Sequence, residues 1–201
     1  MKAAAVILAA GTASRYRAAD PTVATKLVAR HGGVPLVRRV AEAALASRAR
    51  PVVVVTGHAA AEVRAALDGC AVGFVHNADY GTGLASSLRA GLAALPADAA
   101  GALVLLGDMP DVTAPLLDRL IGSFEAGRDA EAAVPVHGGR RGNPALLGRA
   151  LFAPALALTG DEGARRLLGR ARVVEVGIDD DGVLLDVDDP ASLLAIAGRG
   201  T

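Results

Sequence analysis

The sequence predicts an α/β fold built on a mostly parallel, doubly wound sheet with helices on both faces. Two observations predict it. Short apolar runs alternate with helix-length segments across short links, the pattern of βαβ units. The runs are continuously apolar, as strands covered on both faces must be. A chain of 201 residues suits one domain with one core, taken as 1–201.

The strands are read at Ala3–Ala9, Pro51–Thr56, Val72–His76, Ala102–Leu106 and Ala132–Val136. Helices are read at Val34–Ser47, Ala60–Leu67, Leu84–Ala94 and Ala114–Gly127. Pro35 suits a first helical turn, and Thr113 suits an N-cap. After Val136 the alternation gives way to a smaller mixed part. It holds a Gly- and Arg-rich loop at His137–Pro144, a turn at 159–163 and a helix at Ala164–Leu168. Strands at Val173–Val176 and Val183–Asp186 follow, then a final helix capped by Asp189-Pro190 and reaching Ala197. The acidic run Asp179-Asp180-Asp181-Gly182 reads as a solvated turn between those two strands.

Composition excludes several functions. Aromatic residues make up 2% of the chain, too few to build a base-stacking platform for single-stranded nucleic acid. Lys+Arg and Asp+Glu balance at 21 each, so no overall field draws the chain to DNA or an acidic membrane. Cys70 is the one cysteine and forms no intramolecular disulfide, which fits a reducing compartment. The four histidines lack zinc-site spacing. The run Ala3–Ala10 is too short to span a bilayer and has no signal-peptide flanks. A cytoplasmic protein is expected.

Doubly wound sheets bind ligands beyond the carboxyl ends of their strands. The loops 10–26, 57–59, 77–83 and 107–112 are therefore where a site is expected. The first reads Leu8-Ala9-Ala10-Gly11-Thr12-Ala13-Ser14-Arg15. Small residues let backbone N–H groups approach a phosphate, and Arg15 offers a fork of donors. It is neither a Walker loop nor a dinucleotide fingerprint. A tight turn with a surface arginine is the plain alternative.

Lys26 ends this loop. Only two of the 21 basic residues are lysine, and only Asn77 and Asn143 are asparagine. So sparing a use of lysine favours a phosphate contact over an ordinary exposed side chain. In Leu105-Leu106-Gly107-Asp108-Met109-Pro110 a carboxylate emerges where a strand ends. Magnesium needs only one or two protein carboxylates when phosphates complete its shell. The alternative is an Asp that merely starts a turn. Asp186 and Asp188 share one side of an extended segment, so one of them is open as a second metal ligand, taken as Asp188. Asn77, Ser86 and Ser87 surround a helix N-terminus suited to a polar ligand, or are ordinary turn and helix residues. Arg140-Arg141-Gly142-Asn143-Pro144 and Thr159-Gly160-Asp161-Glu162-Gly163 are further polar loops.

Taken together, LAAGTASR (8–15), KL (26–27), HNADYGTGLASSLRAGL (76–92), LLGDMP (105–110), RRGNP (140–144), GDEGAR (160–165) and DVDDP (186–190) resemble the molybdenum-cofactor nucleotidyltransferases. These add CMP or GMP to molybdopterin. The resemblance runs through nearly the whole chain in the family's order. It implies a three-layer, mostly parallel, Rossmann-like sheet of the nucleotidyltransferase (glycosyltransferase-A-like) type. It also implies that the backbone of Leu8, Ala9, Ala10 and Gly11, with Arg15 and Gly57, binds nucleotide. Lys26 would contact phosphates and Asp108 would bind Mg²⁺, making Arg15, Lys26 and Asp108 the catalytic group. Asn77, Gly83, Ser86, Ser87, Asn143 and Asp161 would border the acceptor. CTP and molybdopterin are the implied substrates, with a molybdoenzyme or its maturation chaperone as partner. LAAG rather than LAGG implies CTP over GTP, because Ala10 adds a methyl where a purine needs room. Two departures stand out. Arg17 replaces a usual Gly, in a loop lengthened by Ala18–Thr25. Asp189 replaces a usual Thr.

Overall fold

The computed structural model describes residues 1–161 and 163–197. In chain order the elements are β1 (Ala3–Ala9), α1 (Ser14–Ala19), β2 (Arg30–His31), β3 (Val34–Pro35), α2 (Leu36–Ala46), β4 (Val52–Thr56), α3 (Ala60–Ala66), β5 (Gly73–His76), α4 (Leu84–Ala93) and β6 (Gly101–Leu106). Then come α5 (Ala114–Ala126), β7 (Ala132–His137), β8 (Arg140–Arg141), β9 (Ala145–Gly148), α6 (Phe152–Leu156), α7 (Arg165–Leu168), β10 (Val173–Gly177) and α8 (Pro190–Ala197).

The main sheet runs β10-β7-β9-β6-β1-β4-β5, with β8 paired to β7. β1 lies parallel to β4 and β6, β4 to β5, and β7 to β10. β9 is antiparallel to both β6 and β7. The expected α/β class, mostly parallel with a mixed C-terminal part, is what the chain forms.

All of β1 is buried, and the period of two divides its side chains between two helical layers. Ala3, Ala5, Ile7 and Ala9 pack with Val37, Val40, Leu117 and Leu120 of α2 and α5. Ala4, Val6, Leu8 and Ala10 pack with Ala85, Leu88 and Leu92 of α4 and with Phe152 and Ala155 of α6. This is why the run reads as continuously apolar. Burial of its larger members contributes about 1.5–3 kcal/mol per side chain.

Because β1, β4, β5 and β6 are parallel, their carboxyl ends share one edge. The pairs Ala9↔Thr56 and Leu8↔Leu106 bring the ends of β4 and β6 level with that of β1. Antiparallel β9 begins where β6 ends, through Val104↔Ala145, so Asn143 reaches the same edge.

Three expectations are corrected. Val34 and Pro35 belong to a hairpin with Arg30 and His31, not to the helix that follows. Its turn is Gly32-Gly33, both at positive φ (58° and 80°), the geometry a two-residue hairpin needs. Pro35 is the N-cap residue, extended at ψ 141°, rather than part of the first turn. Val183–Asp186 does not form a strand. Asp180 Oδ1 accepts from Gly182 N at 2.6 Å, opening a 3₁₀ turn over Asp181–Leu184. A short carboxyl side chain here offers the backbone an alternative to a ladder. Val183 O also accepts from Asn143 N at 2.8 Å, which ties the turn to the 140–144 loop. Thr113 stands at the N-cap of α5 but makes no side-chain capping bond.

Candidate active site

The first loop leaves β1 and enters α1 through Ala13 in the left-handed region, φ 50°. Tyr16 of α1 is buried against Leu36, Val187 and Ile196, so the lengthened loop is anchored rather than free. Thr25 then caps a 3₁₀ turn at Lys26–Val28, and Leu27 enters the core. This turn aims Lys26 at the end of β6.

There Lys26 Nζ lies 2.6 Å from Asp108 Oδ2 and 3.1 Å from Asp188 Oδ1. Arg15 Nη1 pairs with the other oxygen of Asp188. Two backbone bonds hold the frame: Gly107 N donates to Leu8 O at 3.1 Å, and Val187 N donates to Asp108 O at 3.0 Å. Asp189 caps α8, its Oδ1 accepting from Ser192 N at 2.7 Å, while Ser192 Oγ accepts from the N–H groups of Asp188 and Asp189 at 3.1 Å. Such a reciprocal cap fixes the entry of the helix, and with it the backbone of Asp188.

The charges are matched tightly. Burial works against the Lys26 ammonium, but Asp108 and then Asp188 more than offset it, so its pKa lies above the ordinary lysine value. Asp186 behaves oppositely. Burial, and then the charges of Asp108 and Asp188, push its carboxyl above the ordinary carboxylate value. Three carboxylates thus gather negative charge that Lys26 and Arg15 offset.

A cavity of about 450 Å³ opens onto this cluster. It is lined by Leu8, Ala10, Gly11, the 12–15 turn, Lys26, Tyr80, Gly83, Ser87, Asp108, Asp161 and Asp188. A second cavity, about 980 Å³, shares Leu8, Leu84, Leu106 and Asp161 with it. Arg140, Arg141, Asn143, Arg165 and Arg166 surround that second space over a floor that includes Leu88 and Val104.

The structure therefore brings together Leu8, Ala10, Gly11, Arg15, Lys26, Asp108 and Asp188 from three separate segments. Gly83 and Ser87 line the first cavity with them, Asp161 lines both cavities, and Asn143 lines the second. Four residues read as contacts, Ala9, Gly57, Asn77 and Ser86, do not line either space. Ala9 faces the opposite core. Asn77 and Ser86 are buried, at 5% and 3% exposure. Asn77 Nδ2 donates to Ser86 Oγ at 2.8 Å and to Ser87 Oγ at 3.1 Å. Gly57 lies beneath the cavity, where a carbon added to it would stand 2.8 Å from Ala10 O and from Tyr80 Cβ. Glu162, quoted within the GDEGAR stretch, lies outside the described residues.

Sequence reading passed over Tyr80, Leu84 and Leu106. They sit inside quoted segments, but only the folded edge shows that they face ligand space.

The arrangement has the parts of a phosphate-handling site: a small-residue turn, two cations and paired carboxylates on one sheet edge. Comparison with known proteins decides the family. Residues 5–176 match the MobA-like NTP transferase domain. The chain belongs to that family.

It carries the NTP transferase domain of that family, and its relatives span several kinds. The molybdenum cofactor cytidylyltransferase of Escherichia coli is 28% identical over 63% of each chain. The bifunctional protein GlmU of Kineococcus radiotolerans is 39% identical over 64% of this chain. The match spans only about a quarter (26%) of that GlmU. Rv0371c of Mycobacterium tuberculosis, 28% identical, superposes with a TM-score of 0.85 over 98% of both chains. Rv0371c has also been crystallised as a complex with manganese. A nucleotidyl transferase of Methanothermobacter thermautotrophicus, 27% identical, gives 0.84 over 98% of this chain and 97% of that one. A divalent metal is typical of such enzymes. Among the described residues no helix is long and apolar enough to cross a membrane.

Proposed function

We propose that this chain, acting as one domain, transfers CMP from CTP to the phosphate of molybdopterin with Mg²⁺ and releases pyrophosphate. The observation that carries the reading is the convergence of Lys26, Asp108 and Asp188 on a cavity floored by the 10–15 turn.

The donor set fits a hard divalent cation. Asp108 and Asp188 present oxygen ligands at one point, on either side of the Lys26 ammonium. Among the described residues no cluster of three or more His, Cys, Asp or Glu is arranged to hold a metal ion. Two carboxylates suffice where substrate phosphates supply further oxygens. Asp108 and Asp188 would hold Mg²⁺, which when bound neutralises charge gathering on the α-phosphate.

The chain's own residues account for the rest. The 11–14 backbone and Arg15 hold the triphosphate. Lys26, drawn from its carboxylate partners, offsets charge on the departing pyrophosphate. The acceptor is a phosphate monoester, whose second pKa of about 6 leaves it largely ionised at neutral pH. It needs no general base. Catalysis then reduces to alignment of the acceptor oxygen with the α-phosphorus. The second cavity, with Asn143, Asp161 and its arginines, is the place for that acceptor.

The 28% identity with the cofactor cytidylyltransferase supports the acceptor, and Ala10 in the cavity supports a pyrimidine. The higher identity with GlmU proteins favours keeping a second reading, the same chemistry on another phosphorylated acceptor such as a sugar phosphate. A pyrophosphate-release assay with each of the four nucleotides and purified molybdopterin tests the proposal. Release with CTP and molybdopterin is expected. Turnover with GTP equal to that with CTP removes the base assignment. Turnover with sugar phosphates alone transfers the function to the second reading. Absence of pyrophosphate release with any acceptor leaves a carrier of finished cofactor instead.

A further inference from the structure

We infer that Tyr80 is the wall against which the base of the nucleotide packs, and that it sets base selectivity; the inference rests on the nucleotide reading of the first cavity. The order of strands places it. Asp108 follows β6 and Asn143 precedes β9, so the carboxylates and the acceptor space lie on one side of β1. The phosphate turn follows β1 itself. An α-phosphate that faces both the carboxylates and the acceptor sends the nucleoside the other way, over β4 and β5. Ala10, Gly57, His58 and Tyr80 stand there. Among the described residues, Tyr80 is the one aromatic side chain in the lining.

The wall is held from three sides. Below, a carbon added at Gly57 would lie 2.8 Å from Ala10 Cβ, Ala10 O and Tyr80 Cβ, so these segments already touch and the gap cannot narrow. In front, His58 N donates to Ala10 O at 3.2 Å. Its ring stands 6.0 Å from that of Tyr80, tilted by 59°. Arg17 Nη1 reaches His58 Nε2 at 3.0 Å. Behind, Asn77 Oδ1 accepts from Asp79 N at 3.0 Å. Ser86 Oγ lies 3.0 Å from Asp79 O and 2.8 Å from Gly83 O. The buried Asn77–Ser86 pair thus braces the 79–83 turn that presents Tyr80, which explains why neither reaches the cavity. A fixed aromatic side chain beside the Ala10 methyl limits the room left for a base, which suits the single ring of a pyrimidine. Arg17, the departure from the family pattern, is the far end of this support.

The test compares CTP and GTP, by equilibrium binding and by turnover, in the wild type, Tyr80→Phe, Tyr80→Ala and His58→Ala. Loss of a base-stacking partner should raise the KM for CTP roughly ten- to a hundred-fold in Tyr80→Ala. Its kcat should be little changed, as expected when ground-state and transition-state binding fall together. The CTP-to-GTP preference should narrow about tenfold, since truncating the wall admits the larger base. Tyr80→Phe, which keeps the ring, should shift both values far less than Tyr80→Ala. An unchanged preference in a folded Tyr80→Ala overturns the inference. Should Tyr80→Ala not fold, His58→Ala, which loosens the ring without removing it, must narrow the preference, and an unchanged ratio there overturns it equally. Failure of the wild type to bind any nucleotide strikes the functional reading first, and is told apart from failure of this inference by that control.

Discussion

Lys26 Nζ lies 2.6 Å from Asp108 Oδ2, and the two side chains are only 16% and 14% exposed. The pair joins residues from the loop after β1 and the loop after β6. Each is held in place by its own turn, Lys26 by the cap at Thr25 and Asp108 by the backbone bond from Val187. The ammonium stands where the carboxylates gather, so it holds the charge balance that a divalent cation would take over.

Asp108→Asn keeps the shape of the side chain and removes its charge. We expect kcat to fall by about 10²- to 10³-fold, the usual loss for one electrostatic stabiliser. Far-ultraviolet circular dichroism should be unchanged. A folded Asp108→Asn or Asp108→Ala enzyme with near wild-type turnover removes the metal assignment.

Lys26→Met removes the ammonium from both carboxylates and leaves Asp188 its pair with Arg15. Because the ammonium no longer competes, the variant should bind Mn²⁺ or Mg²⁺ without nucleotide more tightly than the wild type. It should also gain more thermal stability from added metal, and its turnover should fall. Calorimetric titration of metal into the two proteins decides this. Weaker metal binding in the variant speaks against competition for one place.

Asp186 gives a pH prediction. Its folded pKa is raised by burial and by Asp108 and Asp188. The folded state therefore holds the proton longer than the unfolded state, and stability falls as pH rises from the unfolded value, about 3.9, through the folded one. Asp186→Asn removes that loss. Its melting temperature should exceed the wild type's at pH 7 and converge on it below about pH 4. A gap that widens on acidification contradicts the assignment.

Gly83 holds φ at 110°, and a carbon added there would collide with the carbonyl of Gly160. Ala85 N also donates to Gly160 O at 3.0 Å, so the start of α4 and the 159–161 turn are clasped together. Gly83→Ala should cost about 1–3 kcal/mol from backbone strain alone. It should also displace Asp161 from the junction of the two cavities and raise the KM for the acceptor. Denaturant titration and kinetics check the two effects, and a neutral outcome in both denies the clasp.

The core strands were legible because burial on both faces leaves an unmistakable apolar run, as at Ala3–Ala9. The ends of those strands then pointed to Gly11 and Asp108. What stayed hidden was set by contacts distant in sequence. The 3₁₀ turn at Asp181–Leu184 reads as a strand until the bond from Asn143 to Val183 is known. Asn77 and Ser86 look like ligand contacts because they are polar and near a helix start; only the fold shows them spent on each other. Asp186 and Asp188 do share a side, with Val187 buried between them, although no ladder pairs that segment. Tyr80 has no sequence signal beyond its rarity.

The most direct test is a crystal of the enzyme with CTP and Mn²⁺, read by anomalous scattering. One metal peak is expected between Asp108 and Asp188, beside a triphosphate lying on the Gly11–Arg15 turn, with the Lys26 ammonium moved from the carboxylates to the phosphates. Metal bound away from Asp108, or nucleotide bound away from that turn, would contradict the account.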